Sequence, residues 1–335
     1  MKIAIDVMGG DNFPSANIDG VLDYLDNALI NDMYFILVGN KSLIEKYLKN
    51  KNISNNKFIS IIDAPDIIDD TDRPSRIFKT KPNSSIVKSV NLLKNKEVDA
   101  LISAGNTGAL LASSLFLIGT VQNIRRPALA PYIPSENNGF ILCDAGANVD
   151  TKPEHLMQFA MMCKSYLESV ENIDNPKIGL LNIGKESNKG NELTKQTHQL
   201  LESNFEHFIG NVEPRYILNE DVDILLCDGF TGNIVLKLTE GIFNNIFKFI
   251  DKNPNDKKIN FQKNSLIDNL ENKFDYEEHG GTPILGIKEI VIKCHGSSSK
   301  KSIQKSIAAA KILHDKQVIK TIENNLSNQS KLVLK

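Results

Sequence analysis

Apolar runs of strand length recur along this chain, and nearly every one ends in a loop that contains glycine. Ile3 to Val7 leads into Met8-Gly9-Gly10-Asp11, Tyr34 to Val38 into Gly39, and Ala100 to Ser103 into Gly105-Asn106-Thr107-Gly108. Gly139 to Leu142 leads into Asp144-Ala145-Gly146-Ala147-Asn148, and Lys177 to Ile183 into Gly184. Val222 to Leu226 precedes Asp228-Gly229-Phe230-Thr231-Gly232-Asn233, and Ile290 to Lys293 precedes His295-Gly296-Ser297. Between them lie patterns of helical period, such as Ile18, Leu22, Leu25 and Leu29, or Leu156, Phe159, Met162 and Leu167. Strands alternating with helices predict an α/β fold with a mostly parallel, doubly wound sheet. In such a sheet the carboxyl ends of the strands share one edge, where ligands bind, and the glycine loops are expected to converge there. Residues 1–330 are read as a single α/β domain in which two lobes are allowed.

Two segments break the rhythm. Leu238, Ile242, Ile246 and Ile250 repeat every four residues, as do Leu266, Leu270 and Phe274, with Pro254 in the link. This spacing predicts a helical hairpin inserted over residues 238–278. Its tip carries Lys252, Lys257, Lys258 and Lys263 with Asp256, Ile259 and Phe261, which suits a solvated turn or contact with a membrane surface or acidic partner. Ala100 to Ile124 contains no charged residue, but Gly105 to Gly108 interrupts it. The remaining stretch, Ala109 to Gly119, is too short to span a bilayer and reads as a buried helix.

Composition narrows the classes. Among 335 residues, 39 Lys and Arg face 41 Asp and Glu, a net charge of -2, which lacks the basic excess of a nucleic-acid binder. Apolar residues make up 41% and charged ones 24%, enough to build a core and unlike a disordered chain. Cys143, Cys163, Cys227 and Cys294 are widely spaced, which argues against a zinc site or a disulfide framework. Their apolar flanks suggest inert buried thiols. Asp6 interrupts the apolar start where a signal peptide needs continuity, so a cytoplasmic protein is expected.

Neither G-x-G-x-x-G nor a Walker-type loop is present. The glycine loops carrying Asn106, Asn148 and Asn233 instead suit close approach of backbone N–H groups to an anion at helix N-termini, which points to phosphate chemistry. Asp6, Asp144 and Asp228 each close a strand or follow one, where a carboxylate either braces the loop or acts on substrate; Asp228 is the better candidate for action. Lys189, between a strand and a helix, reads as an anion ligand or a solvated loop lysine. His295 is either structural or directed at the crevice. Asn83-Ser84-Ser85, preceded by Lys79 and Lys81, suits an anion or a plain helix cap. His155 is most simply a first-turn helix residue.

Taken in order from residue 3 to about residue 315, these motifs resemble the PlsX-type phosphate acyltransferases. The resemblance rests on Ile5 to Asp11, Ser103 to Ala109, Asp144 to Asp150, Asn182 to Gly184 through Lys189-Gly190-Asn191, Asp228 to Asn233, and His295 to Ser298. It implies an enzyme of bacterial phospholipid synthesis that converts acyl-[acyl carrier protein] and inorganic phosphate to acyl phosphate. It further implies a three-layer fold of the isocitrate and isopropylmalate dehydrogenase type and a homodimer needing no cofactor or metal. A peripheral place at the inner face of the cell membrane would bring it near a downstream glycerol-3-phosphate acyltransferase. Thr151, Lys185 and the Pro82 loop depart from the family pattern. Residues assigned to phosphate and substrate are Gly9, Gly10, Asp11, Gly105, Asn106, Thr107, Gly108, Asp144, Gly146, Asn148, Gly229, Gly232, Asn233, Gly296 and Ser297. Lys189 screens charge, and Asp228 or His295 handles the proton. The competing readings are a nicotinamide-dependent hydroxy-acid dehydrogenase of the same fold and a non-catalytic membrane-associated scaffold.

Overall fold

The computed structural model describes residues 1–27, 32–53, 56–69, 71–135, 139–251, 273–274 and 280–333. Its strands sort into two sheets rather than the one expected, and the chain divides into two compact units. The first comprises Met1–Pro127, Ser165–Ile173 and His279–Lys335; the second comprises Ala128–Lys164 and Asp174–Glu278.

In the first unit the order is β1 (Lys2–Asp6), α1 (Ser15–Asn27), β2 (Tyr34–Gly39), α2 (Lys41–Asn50) and β3 (Ile59–Asp63). A 3-10 turn, Pro74–Arg76, leads into the one-turn helix α3 (Ile77–Thr80), then α4 (Ser85–Lys94), β4 (Ala100–Ser103) and α5 (Thr107–Leu117). The second unit contains β5 (Ala128–Leu129), β6 (Tyr132–Ile133), β7 (Phe140–Cys143), the start of α6 (Pro153–Val170) and β8 (Ile178–Leu181). It continues with α7 (Glu192–Asn204), β9 (Phe208–Val212), a 3-10 turn at Pro214–Tyr216, β10 (Ile224–Leu226) and α8 (Gly229–Asp251). The chain then returns to the first unit as β11 (Thr282–Leu285), β12 (Ile290–Lys293), α9 (Lys300–Asp315) and α10 (Val318–Val333).

Within the first unit the sheet runs β3-β2-β1-β4-β12-β11, parallel apart from β11. Ile3, Ile5, Leu37, Leu101, Ile102 and Ile292 are fully buried. That near-continuous apolar reading belongs to strands covered on both faces. Asp6 pairs in register with Ser103, and Ser103 with Lys293, so three neighbouring strands end in a row of a carboxylate, a hydroxyl and an ammonium. The second unit's sheet runs β6-β7-β10-β8-β9, with only β6 antiparallel. Phe140, Leu142, Leu180 and Leu225 fill its core together with Phe159 and Met162 of α6.

Three helices start where asparagine side chains cap them. Asn40 takes the Leu43 N–H, Asn106 that of Ala109, and Asn191 that of Thr194. One expectation changes, and another is left untested. The Gly229 to Asn233 stretch, read as a loop, is the first turn of α8. Residues 252–272 and 275–278 of the expected hairpin lie outside the described residues, although Phe274 stacks on Phe243 with ring centroids 4.0 Å apart. Along α8, Phe230, Ile234, Leu238, Ile242 and Ile246 form an apolar stripe left between 47% and 61% exposed. The stripe lies on a different face from Phe243, because one residue turns a helix by about 100°.

Candidate functional site

Each unit carries its own cluster of strand-end loops. In the first, Asp6 is buried at the end of β1 and its Oδ2 accepts the Ser103 hydroxyl at 2.6 Å. Its Oδ1 accepts the Met8 N–H at 3.2 Å, and Ser85 also hydrogen-bonds the carboxyl. Burial raises the Asp6 pKa above its ordinary value, against the pull of these hydrogen bonds. The Ser103 hydroxyl in turn accepts the Gly105 N–H at 3.1 Å. Two glycine loops meet over this carboxyl. A Cβ on Gly9 would fall 2.4 Å from the Gly105 nitrogen and 2.7 Å from Asp6 Oδ2, so no side chain fits there.

Gly10, Asp11 and Gly296 belong to the same cluster, because Asp11 N–H donates to Gly296 O at 2.7 Å. Asn12 Nδ2 ties in Ser297 through its carbonyl at 3.1 Å. His295 is exposed, and its Nδ1 takes the Ser297 N–H at 3.2 Å with the Ser297 hydroxyl at 2.8 Å. With Nδ1 as acceptor, the ring proton belongs on Nε2. Asn106, Thr107 and Gly108 form the start of α5; Asn106 is exposed but its Oδ1 is occupied by the cap.

Sequence reasoning missed Lys293. Its ammonium donates to Cys294 O and, more distantly at 3.5 Å, to Ala104 O, so it spans the two loops that begin at those residues. Burial lowers its pKa. It makes no ion pair within 4 Å among the described residues, although Asp6 lies close enough to favour its charge. A lysine closing the run Ile290-Val291-Ile292, where a buried strand ends, was the available signal.

The second unit is organised on Asp144, which is fully buried and accepts four hydrogen bonds. Oδ1 takes Leu129 N–H and Ala147 N–H, both at 3.1 Å. Oδ2 takes Asn148 N–H at 2.7 Å and Asn148 Nδ2 at 2.9 Å. Burial again raises the carboxyl pKa in opposition to these bonds. Asp144 thus braces its own loop, and one Asn148 amide hydrogen is committed to it. The first turn of α8 packs on that loop: a Cβ on Gly229 would lie 2.4 Å from Asn148 O, and one on Gly232 only 1.9 Å from Asp144 O. This contact is why glycine recurs inside a helical turn. Gly146 lies against Asn233. Asp228 is the α8 cap, accepting Thr231 N–H at 2.8 Å and the Thr231 hydroxyl at 2.7 Å.

Lys189 is exposed on the loop before α7, and its carbonyl accepts Asn182 Nδ2 at 3.1 Å. Its ammonium makes no ion pair or hydrogen bond with a described residue. Lys81, by contrast, is held by Asp69 at 2.8 Å and Asp72 at 2.6 Å, which removes it as a ready anion ligand. No described group of three or more His, Cys, Asp or Glu is placed to hold a metal ion. The four cysteines are buried and burial raises the thiol pKa of Cys143, Cys227 and Cys294. No described helix is long and apolar enough to cross a membrane.

Among solved structures, the EutD phosphotransacetylase from Staphylococcus aureus shares the fold at a TM-score of 0.58 and 12% identity, over 97% of this chain and 94% of that one. A branched-chain phosphotransacylase from Enterococcus faecalis V583 does so at 0.59 and 16%, over 93% and 99%. A structure titled as a putative 4-hydroxythreonine-4-phosphate dehydrogenase from Salmonella typhimurium matches at 0.51 and 13%, over 93% and 99%. These likenesses establish the α/β fold. Sequence relatives reach further: the phosphate acyltransferase of Clostridium botulinum (strain ATCC 19397 / Type A) is 43% identical over 332 residues, 98% of each chain. That of Clostridium tetani (strain Massachusetts / E88) is 41% identical over the same span and coverage. The family model described as fatty acid synthesis protein matches residues 1–321. With that match and those full-length relatives, the chain belongs to the fatty acid synthesis protein family and is an acyltransferase enzyme.

Proposed function

We propose that this enzyme transfers a fatty acyl group from acyl carrier protein to inorganic phosphate, releasing acyl phosphate and the free carrier thiol. A phosphate oxygen attacks the thioester carbonyl, the C–O bond forms, the C–S bond breaks, and the departing thiolate takes a proton. Phosphate is already anionic at neutral pH, so the protein's work is positioning, charge screening and stabilisation of the carbonyl oxyanion. The observation that carries the reading is the Gly105 to Gly108 loop at the N-terminus of α5. Asn106 caps the Ala109 N–H there, and Thr107 and Gly108 supply the next first-turn donors.

Lys189, exposed and unpaired among the described residues, suits phosphate screening. His295 suits the proton role better than Asp228, because its Nε2 carries the ring proton whereas both Asp228 oxygens are engaged by Thr231. A homodimer joined through the exposed α8 stripe fits the same reading. So does peripheral membrane contact near a downstream glycerol-3-phosphate acyltransferase, since the acyl phosphate has a long apolar tail. A hydroxy-acid dehydrogenase is not favoured, because relatives 43% and 41% identical over nearly the full chain are phosphate acyltransferases.

The test is incubation with acyl carrier thioester, with and without phosphate, NAD, divalent metal and EDTA. Thiol release should require phosphate and survive EDTA, and Lys189→Ala should raise the phosphate KM about tenfold or more with little change in Tm. Thiol release independent of phosphate, or reduction of NAD, would overturn the assignment.

A further inference from the structure

The acyl group arrives on a protein, and the segment from Arg73 to Lys79 carries the features of a landing surface for it. Arg73, Arg76 and Lys79 are all exposed, and none makes an ion pair with a described residue. The preceding acids are turned elsewhere: Asp69 and Asp72 both sit on Lys81. On the same segment Phe78 packs against Phe116 of α5, with ring centroids 5.1 Å apart. Phe116 is 60% exposed, and the Lys79 ammonium stands 5.7 Å from the Phe78 ring.

This patch adjoins the candidate loop. Pro74 Cβ lies 3.0 Å from where a Cβ on Gly108 would stand, so the 3-10 turn leans directly on the start of α5. Phe116 lies nine residues further along α5, about 14 Å at 1.5 Å per residue. Cations around an aromatic pair, beside the loop where the acyl group must react, complement an acidic surface with a small apolar spot. We propose that Arg73, Arg76 and Lys79, with Phe78 and Phe116, form the docking surface for an acidic face of the carrier protein. The inference rests on the phosphate acyltransferase reading for its partner, but on the exposed charges of Arg73, Arg76 and Lys79 and the exposed Phe116 ring for its location.

The experiment uses the full-length enzyme and purified acyl carrier protein carrying its thiol arm without an acyl group, titrated by fluorescence anisotropy at low and high salt. Wild type should bind with an affinity that falls as salt rises. Arg73→Glu with Arg76→Glu should weaken binding at least tenfold, and turnover with the acyl-loaded carrier should show a raised KM with kcat nearly unchanged. A control with the same charge change elsewhere, Lys46→Glu with Lys57→Glu, should bind as wild type, and thermal scans should show both variants folded. Wild-type affinity in the Arg73, Arg76 variant overturns the surface. So does a halved mass for Phe116→Ser in sedimentation equilibrium, which would give the patch to a second copy of this chain. If wild type binds the carrier but transfers no acyl group to phosphate, the activity reading fails while the surface stands. Turnover with unaltered variant binding fails the surface alone.

Discussion

Asp6 ends β1 and Asp144 follows β7; both are buried, and both have pKa values raised by that burial. Replacing each by asparagine should nevertheless give different outcomes, because their partners differ in chemistry. Asp144 is surrounded by N–H groups alone, two on each oxygen. Whichever way an amide is turned, its NH2 faces two donors, which lose their acceptor and meet another donor. At roughly 1 to 3 kcal/mol for each unsatisfied buried group, the direct loss is about 2 to 6 kcal/mol. Removing a buried charge offsets part of it, leaving an expected cost of about 2 to 4 kcal/mol, or a Tm roughly 3 to 6 °C lower for a chain of 335 residues. Asp6 instead accepts the Ser103 hydroxyl on Oδ2 and the Met8 N–H on Oδ1, and the Ser85 hydroxyl also bonds the carboxyl. Hydroxyls can reverse and accept from an amide, so Asp6→Asn should cost less than about 1 kcal/mol.

The pH dependence follows from the same burial. A carboxyl whose folded pKa is raised contributes stability that is fully present below the unfolded value near 3.8 and is lost as pH rises through the folded value. Asp6→Asn should therefore gain on wild type as the pH rises from below 3.8 toward neutral. Thermal scanning of both variants across that range is the assay. Equal losses in the two variants, or an unperturbed Asp144→Asn, would refute the reasoning.

Lys293→Met should lower turnover at least about tenfold while leaving Tm unchanged or slightly higher. Burial depresses the lysine's pKa, so its charge costs stability below the unfolded pKa of 10.5, and a lower Tm with normal kinetics would contradict this. Gly232→Ala should cost about 3 kcal/mol or more, since its Cβ would meet Asp144 O at 1.9 Å, whereas Gly241→Ala in the same helix, with nothing within 4 Å, should stabilise by about 0.5 to 1 kcal/mol in a denaturant titration. Leu238→Glu with Ile242→Glu on the exposed α8 stripe should halve the mass seen in sedimentation equilibrium; an unchanged dimer would place the interface elsewhere.

The strand junctions were legible because a buried parallel strand is a short apolar run that must end where the backbone turns back. Ile290 to Lys293 is β12 without adjustment, and Ala100 to Ser103 is β4. The division into two sheets was not legible, since each run fits any parallel neighbour and pairing is settled by contacts between residues distant in sequence. β3 and β9 escaped because the polar Ser60 and Asp63, and Gly210 with Asn211, break up their apolar residues, and both strands lie at sheet edges. The loops were visible as glycines and polar residues, but not which polar groups they consume. Asp144 and Asp228 look alike in sequence; one is buried under four N–H groups and the other caps a helix. Lys81 looked available until Asp69 and Asp72 were placed beside it. Lys293 was hidden because its importance lies in its burial, which its spacing alone does not announce.

The buried cysteines also make the protein its own reporter of opening. Cys294 belongs to the first unit, and Cys143, Cys163 and Cys227 to the second. The Cys294 thiol is pushed up to about 11, and burial holds Cys143 and Cys227 above their ordinary value as well. Folded, all four are sheltered from an alkylating reagent; each becomes reactive only when its surroundings part. The rate of labelling at Cys294 is thus a clock for the first unit, and the rates at the other three are clocks for the second. Without any engineered probe, the two halves of this enzyme can be timed separately as they breathe.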